Sequence, residues 1–468
     1  LLFQSQPRDH SDDIHPVAQP SAAAPTHALL ARILEGCVMT WKSDAVSEDD
    51  DAVRALLAYL GAAMVATGQT VSDVEDELAA VGAALGYPDV QIAASPTGVI
   101  LNLASGAAAT FESVKGGLRL DQAAEVRAIR HRLALSTVSV SQATEELLDL
   151  RDRPPRYPPW LANLGWIAIA TGIALILQPG GANVAFAAGG AVVVVALFRL
   201  GQRFGLIATL LPTLAAFLLA CGVFAAANAD LLEGPLRTLL PPLAVLLPGA
   251  LIVTAMSELA AGDMVAGASR LTFGLVQLLL FTLGIVAASH VITVPAAELT
   301  NLRVDTLGWW AAPVGLILIS VGIGVLESPP VRLLPWITVV LVLAFAAQSF
   351  GQHVGGAALG SFLGAVAASL GSSCVEAVRP NLPRLVVFLP AFWLLVPGSL
   401  GLLSSTALVT NPGGGGANAF GVVTVVFAIA VGLLVGAAVA RSFGGALHRL
   451  RRGHPPRGRG RPGRSLLR

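Results

Sequence analysis

The sequence predicts an α-helical polytopic membrane protein, with about ten transmembrane helices in two five-helix inverted repeats preceded by a small α+β soluble domain. Three observations predict it. Of 468 residues, 12% are charged and 54% hydrophobic, and the polar residues gather at the two ends, a composition foreign to soluble globular chains. Ten apolar stretches follow residue 157, each close to the ~20 residues that cross a bilayer. Their centres, near residues 169, 191, 216, 248, 281, 317, 339, 362, 395 and 430, form two series of five offset by 146 to 149 residues. Five is odd, so equivalent helices of the two series must run in opposite directions.

Residues 1–50 are rich in Pro, Ser, Ala, Asp and His and read as a disordered tail; its first 30 residues show no basic n-region and apolar h-region, so no cleavable signal peptide is expected. Residues 51–156 read as a cytoplasmic α+β domain. Val53, Leu56, Leu57, Leu60 and Met64 share one helical face, and Val74, Leu78, Val81 and Leu85 repeat the pattern. Ser72 and Glu75 have the spacing of a capping box for the second helix. Val90, Ile92 and Val99 to Leu103 flank a turn at Ser95-Pro96-Thr97-Gly98, with a third strand near Thr110 to Val114. Helical spacing returns at Val126, Ile129 and Leu133, then at Leu147 and Leu150. A basic collar, Arg151 to Arg156, precedes Tyr157 and Trp160, residues suited to a membrane interface.

The first membrane repeat then spans 157–293 and the second 307–440, leaving 441–468 as a tail with nine arginines. One set of short loops collects Arg199, Arg203, Arg270, Arg332, Arg379 and Arg384, whereas the other has only Arg237 and Arg303. The first side is therefore expected to be cytoplasmic, together with the soluble domain and the Arg-rich tail. That tail should touch anionic lipid rather than nucleic acid. Cys37, Cys221 and Cys374 have neither metal nor disulfide spacing, and His131, His290 and His353 stand isolated; no metal and no cofactor are expected.

Pro248-Gly249 and Pro397-Gly398 place the same break in the middle of one apolar stretch of each half. Proline removes a helical donor and clashes with the preceding turn, and backbone groups freed inside a membrane must be satisfied by protein or by a cavity. The pair therefore marks a candidate binding site, although a packing kink would use the same residues. Glu258, Asp263 and Arg270 follow the first break. Asp263 after Gly262 also has the form of a helix cap.

The stretch Pro248-Gly249-Ala-Leu-Ile-Val-Thr254-Ala-Met-Ser257-Glu258-Leu-Ala-Ala-Gly262-Asp263-Met-Val-Ala-Gly267-Ala-Ser-Arg270-Leu271 resembles the signature region of the threonine/serine exporter family. Gly68, Val74, Glu75, Gly86 and Pro96-Thr97-Gly98 in the soluble domain support the resemblance, as do Gln348 to Gly351 and Leu389 to Gly398. It implies a secondary exporter of threonine and serine in the plasma (inner) membrane, a proton-coupled antiporter and not an enzyme. The chain interior is compatible with that: the interiors of the ten apolar stretches hold no Asp, Glu, Lys or Arg, and a small zwitterion needs no fixed charge. Its carboxylate could meet a half-helix N-terminus, its ammonium the freed carbonyls, and its hydroxyl Thr254, Gln277 or Gln348. With no acid inside the spans, proton coupling falls to Glu258 and Asp263, with Arg270 opposing. Export of a small dicarboxylate, a membrane-anchored enzyme and a ligand sensor built on residues 51–156 are the alternatives. The soluble domain shows no His-Glu-x-x-His, Gly-x-Ser-x-Gly or phosphate loop. A homo-oligomer is compatible with all of these readings.

Overall fold

The computed structural model describes residues 48–104, 107–293, 303–378, 388, 391 and 415–452. The expected span near residue 395, with Pro397 and Gly398, lies outside the described residues.

The first unit is built as the apolar periodicity requires. Helices α1 (Glu48–Ala66), α2 (Val71–Ala84), α3 (Leu120–Ala134) and α4 (Val140–Asp152) surround a three-stranded antiparallel sheet of β1 (Gln91–Ser95), β2 (Gly98–Asn102) and β3 (Thr110–Ser113), in the order β1-β2-β3. Leu56, Leu57, Leu60, Leu78, Leu101, Ile129 and Leu133 are completely buried in one core. The first helix starts at Glu48, inside the stretch expected to be a tail. The expected capping box is not formed. Thr70 is the cap of α2, accepting from Asp73 N, and Glu75 Oε1 instead accepts from Ala94 N, tying α2 to β1.

The described residues from 159 onward form a multi-pass membrane bundle. Helices α5 (Pro159–Leu177), α6 (Gly181–Gly201), α7 (Gly205–Asn228) and α11 (Met264–Val291) are each long and apolar enough to cross, as is the apolar stretch Val331–Ala377. Between α7 and α11 the sequence expectation of one helix kinked at Pro248 is only partly met. The chain forms two single turns, α8 (Pro235–Thr238) and α9 (Leu240–Leu243), then turns through residues 244–247 before α10 (Gly249–Ala261) starts. Pro248 is the N-cap of α10, and its carbonyl accepts from Ile252 N. Pro241 and Pro242 explain the wider break, since three prolines within eight residues deny the chain three backbone donors.

Helix α12 (Ala311–Leu326) is 16 residues long. The 45-residue α13 (Leu334–Val378) holds non-helical angles at Gly355 and Gly356, the latter at φ 78°, a conformation open to glycine at little cost. This break is a reversal. Gly351 lies against Gly360, and Gly371 against Val340, so the limbs on either side of the glycines are antiparallel and account for the two stretches centred near 339 and 362. Helix α14 (Gly415–Arg452) follows.

Glycines set the closest helix approaches. A Cβ on Gly172 would lie 2.6 Å from Gly315 O, and one on Gly315 would lie 2.6 Å from Gly172 O; Gly165 and Gly322 repeat the reciprocal contact one helical stretch away. Helices α5 and α12 are thus antiparallel with their backbones in contact, the small-residue packing favoured in lipid. Gly284 of α11 abuts Thr213 O and Ala216 of α7, and Gly432 of α14 abuts Phe362 O and Ala365 of α13.

At the end of the bundle away from the soluble unit, buried polar side chains tie the loops together. Asn183 Nδ2 donates to Glu233 O and Thr238 Oγ1, both at 2.7 Å, and Gln178 Oε1 accepts from Val304 N at 3.3 Å. This knot joins Val304 and the loops that precede α6 and α8.

Candidate functional site

Helix α10 carries Glu258 in its last turn and ends at Gly262, whose φ of 100° allows Asp263 N to reach back to Glu258 O at 2.9 Å. This αL ending reverses the chain into α11. Gly267 of α11 then sits against Ala255 O and Leu259, and Gly274 against Ile252, so α10 and α11 form a tight hairpin. That hairpin brings Arg270 to Glu258: Nε lies 3.2 Å from Oε2, with Glu258 0% and Arg270 7% exposed. Both groups have left water.

The second oxygen of Glu258 has a partner from outside the bundle. Oε1 accepts from Val71 N at 3.1 Å, the first amide of α2 in the soluble unit. Two further acids repeat this arrangement. Glu327, just past the end of α12, accepts from Leu120 N at the start of α3. Glu376, in the last turn of α13, pairs with Arg127 of α3. All three acids stand at helix C-termini, where the helix dipole disfavours negative charge. The soluble unit compensates each one, two with helix N-termini and one with a guanidinium. Burial pushes the Glu327 carboxyl up to about 7, opposed by the Leu120 amide and Arg119 and assisted by Asp121.

Leu120 and Ala123 go further. They are buried in the same apolar cluster as Ile169, Ile173, Leu333, Ile337 and Val375 of the bundle. The first turn of α3 is therefore seated in the mouth of the membrane unit.

The residues singled out from the sequence fare differently. Glu258 and Arg270 are brought into contact. Asp263 takes the N-cap position of α11, yet its side chain makes no capping bond, and its Oδ2 is buried without a hydrogen-bond partner among the described residues. Arg270 Nη2 is likewise buried and unpartnered. Pro248 and Gly249 start α10, and Thr254 lies one turn before Glu258. Among the described residues no hydrogen bond joins Thr254, Gln277 and Gln348, and Gln348 lies toward the Gly355-Gly356 reversal, on another helix pair. Pro397 and Gly398 lie outside the described residues.

Sequence reasoning missed Glu327, Glu376, Leu120 and Arg127. One signal was legible: an acid directly after an apolar span sits at the wrong end of the helix dipole and needs a partner. Which residue supplies it is a tertiary matter. Among the described residues no three His, Cys, Asp or Glu side chains cluster as a metal site would require. The soluble unit has a cleft lined by Tyr59, Glu112, Lys115 and Arg151, in which Arg151 is already bonded to Lys115 O.

The family model described as "Putative threonine/serine exporter" matches residues 55–292, which covers the soluble unit from within α1 onward, the α10–α11 hairpin and both partners of the buried ion pair. A protein of Mycobacterium tuberculosis named "Probable threonine/serine exporter" is 29% identical over 192 residues, covering 41% of this chain and 36% of that relative's length. No solved structure matches the chain.

Proposed function

Since the chain belongs to the threonine/serine exporter family, we propose that it is a secondary active exporter of threonine and serine across the plasma membrane, an antiporter driven by the proton gradient. The observation that carries this reading is the broken segment 235–261, which ends in the buried Glu258–Arg270 pair. A helix that starts inside the bundle points its amide end at the interior, suited to a substrate carboxylate. At its other end, Arg270 Nη2 and Asp263 Oδ2 offer one donor and one acceptor without hydrogen-bond partners among the described residues. That is the complement of a carboxylate and an ammonium, so a zwitterion fits the mouth better than a dicarboxylate. Pro397 and Gly398 would supply the second half-site, and Thr254, Gln277 and Gln348 are the side chains available to a substrate hydroxyl.

Two features support an inverted repeat. The reciprocal glycine contacts of α5 and α12 are what a pseudo-twofold axis between them requires. The settings of Gly284 on α7 and of Gly432 on α13 correspond at the same spacing of about 148 residues seen in the apolar stretches. The orientation follows from arginine: Arg199, Arg203, Arg270 and Arg332 all lie at the end where the soluble unit docks. Both that unit and the C-terminal tail are accordingly cytoplasmic. An impermeant thiol reagent applied to intact cells should leave a cysteine placed at Ser139 unmodified, and its modification there would reverse the orientation.

Proton coupling is assigned to Glu258 and Asp263, acids that exchange a sealed environment for an open one as the mouth opens. Efflux of threonine from preloaded vesicles tests it. The Glu258→Gln/Asp263→Asn double variant should lose gradient-driven export; undiminished uphill export would return both acids to a structural role. A panel of amino acids and dicarboxylates in the same vesicles identifies the substrate.

A further inference from the structure

We propose that the soluble unit is a gate, in which the first turn of α3 plugs the cytoplasmic mouth of the bundle and carboxylates of the membrane helices hold it there. The inference deepens the exporter reading, on which its physiological meaning rests. Three observations on separate helices converge on it. Leu120 and Ala123 are buried among bundle residues, not in the core of their own unit. Glu327 receives the Leu120 amide and Glu376 the Arg127 guanidinium. Glu258 receives the Val71 amide, so the group assigned to coupling is itself covered by the docked unit. A substrate approaching Arg270 from this side would have to displace α2 and α3.

The latch responds to pH. Glu327 faces Leu120 N, Arg119 and Asp121. Seated under α3, its carboxyl is raised from an ordinary 4.5 to about 7, so the docked state binds a proton more tightly than the released one. Docking is therefore favoured at low pH, and that advantage fades as pH rises from 4.5 through 7. A neutral carboxyl can still accept from Leu120 N through its carbonyl oxygen, while the cost of burying a charge disappears. An exporter that admits protons would in this way close as the cytoplasm acidifies.

Thiol accessibility tests the gate without assuming any substrate. In a chain whose three cysteines are replaced by serine, Thr254→Cys places a thiol one turn inside Glu258, and a small impermeant reagent is applied to the cytoplasmic face of inside-out vesicles. Arg127→Glu should raise the labelling rate at least tenfold by setting two acids against each other, and the Arg127→Glu/Glu376→Arg exchange should restore slow labelling. In the otherwise unaltered chain, labelling should accelerate as pH rises through about 7 by more than the thiolate-driven rise measured at an exposed Ser139→Cys thiol. Glu327→Gln, permanently neutral and still an acceptor, should show only that thiolate-driven rise across the range. Equal labelling rates in all variants, or an unchanged pH response in Glu327→Gln, would overturn the gate. Absence of threonine efflux by the protein with its native Thr254, with the labelling pattern intact, would count against the substrate reading alone.

Discussion

Gly172→Leu is expected to cost about 3 kcal/mol or more, at the upper end for an overpacked site. The reason is what the new Cβ meets. It would stand 2.6 Å from Gly315 O and 2.8 Å from Ile319 Cγ1, and a backbone carbonyl in a helix cannot rotate away as a flexible side chain can. Helices α5 and α12 would have to separate, forfeiting dispersion contacts along the whole interface, in a solvent where packing rather than hydrophobic transfer holds helices together. Gly315→Leu should cost a similar amount, and the double variant less than the sum, because the first substitution already parts the helices. Gly189→Leu is the control. Its added Cβ meets nothing within 4 Å, and the expected change is within about 0.5 kcal/mol. Thermal unfolding of the purified protein in detergent distinguishes these outcomes, and equal stability of Gly172→Leu and Gly189→Leu would refute the contact.

Arg270→Met is expected to be as damaging, through electrostatics. It leaves the completely buried Glu258 beside an apolar side chain, with Val71 N as its remaining hydrogen-bond donor among the described residues. Removing one member of a buried pair typically costs about 3–5 kcal/mol, most of it the penalty of the stranded charge. The sign of that account is testable, since Glu258→Gln/Arg270→Met removes both charges and should recover most of the loss. A double variant no more stable than Arg270→Met would mean that arginine acts by filling space. The same pair of proteins, assayed for labelling at position 254, separates collapse of the hairpin from release of the soluble unit.

Local rules carried a good part of this molecule. The periodicity of Val53 to Met64 and of Val74 to Val81 placed those residues in one core, because a helical face that repeats every three to four residues has to be covered wherever the helix lies. The turn at Ser95 to Gly98, the apolar stretches and the αL ending at Gly262 were legible for the same reason: each depends on residues a few positions apart. The break at Pro248 was legible as a break, but not its extent, which Pro241 and Pro242 widen into two isolated turns. The close antiparallel seating of α5 on α12 needed the structure, because glycine permits a close approach without naming the helix that approaches. So did the site. Glu258 and Arg270 could be singled out as charges near a membrane mouth, but Val71, Leu120, Arg127, Glu327 and Glu376 lie up to about 250 residues from their partners, and no pattern within a single helix records such a distance. Sequence determines where a carboxylate at a helix C-terminus is in want of compensation; only the docking of one folded unit on another decides which amide or guanidinium provides it.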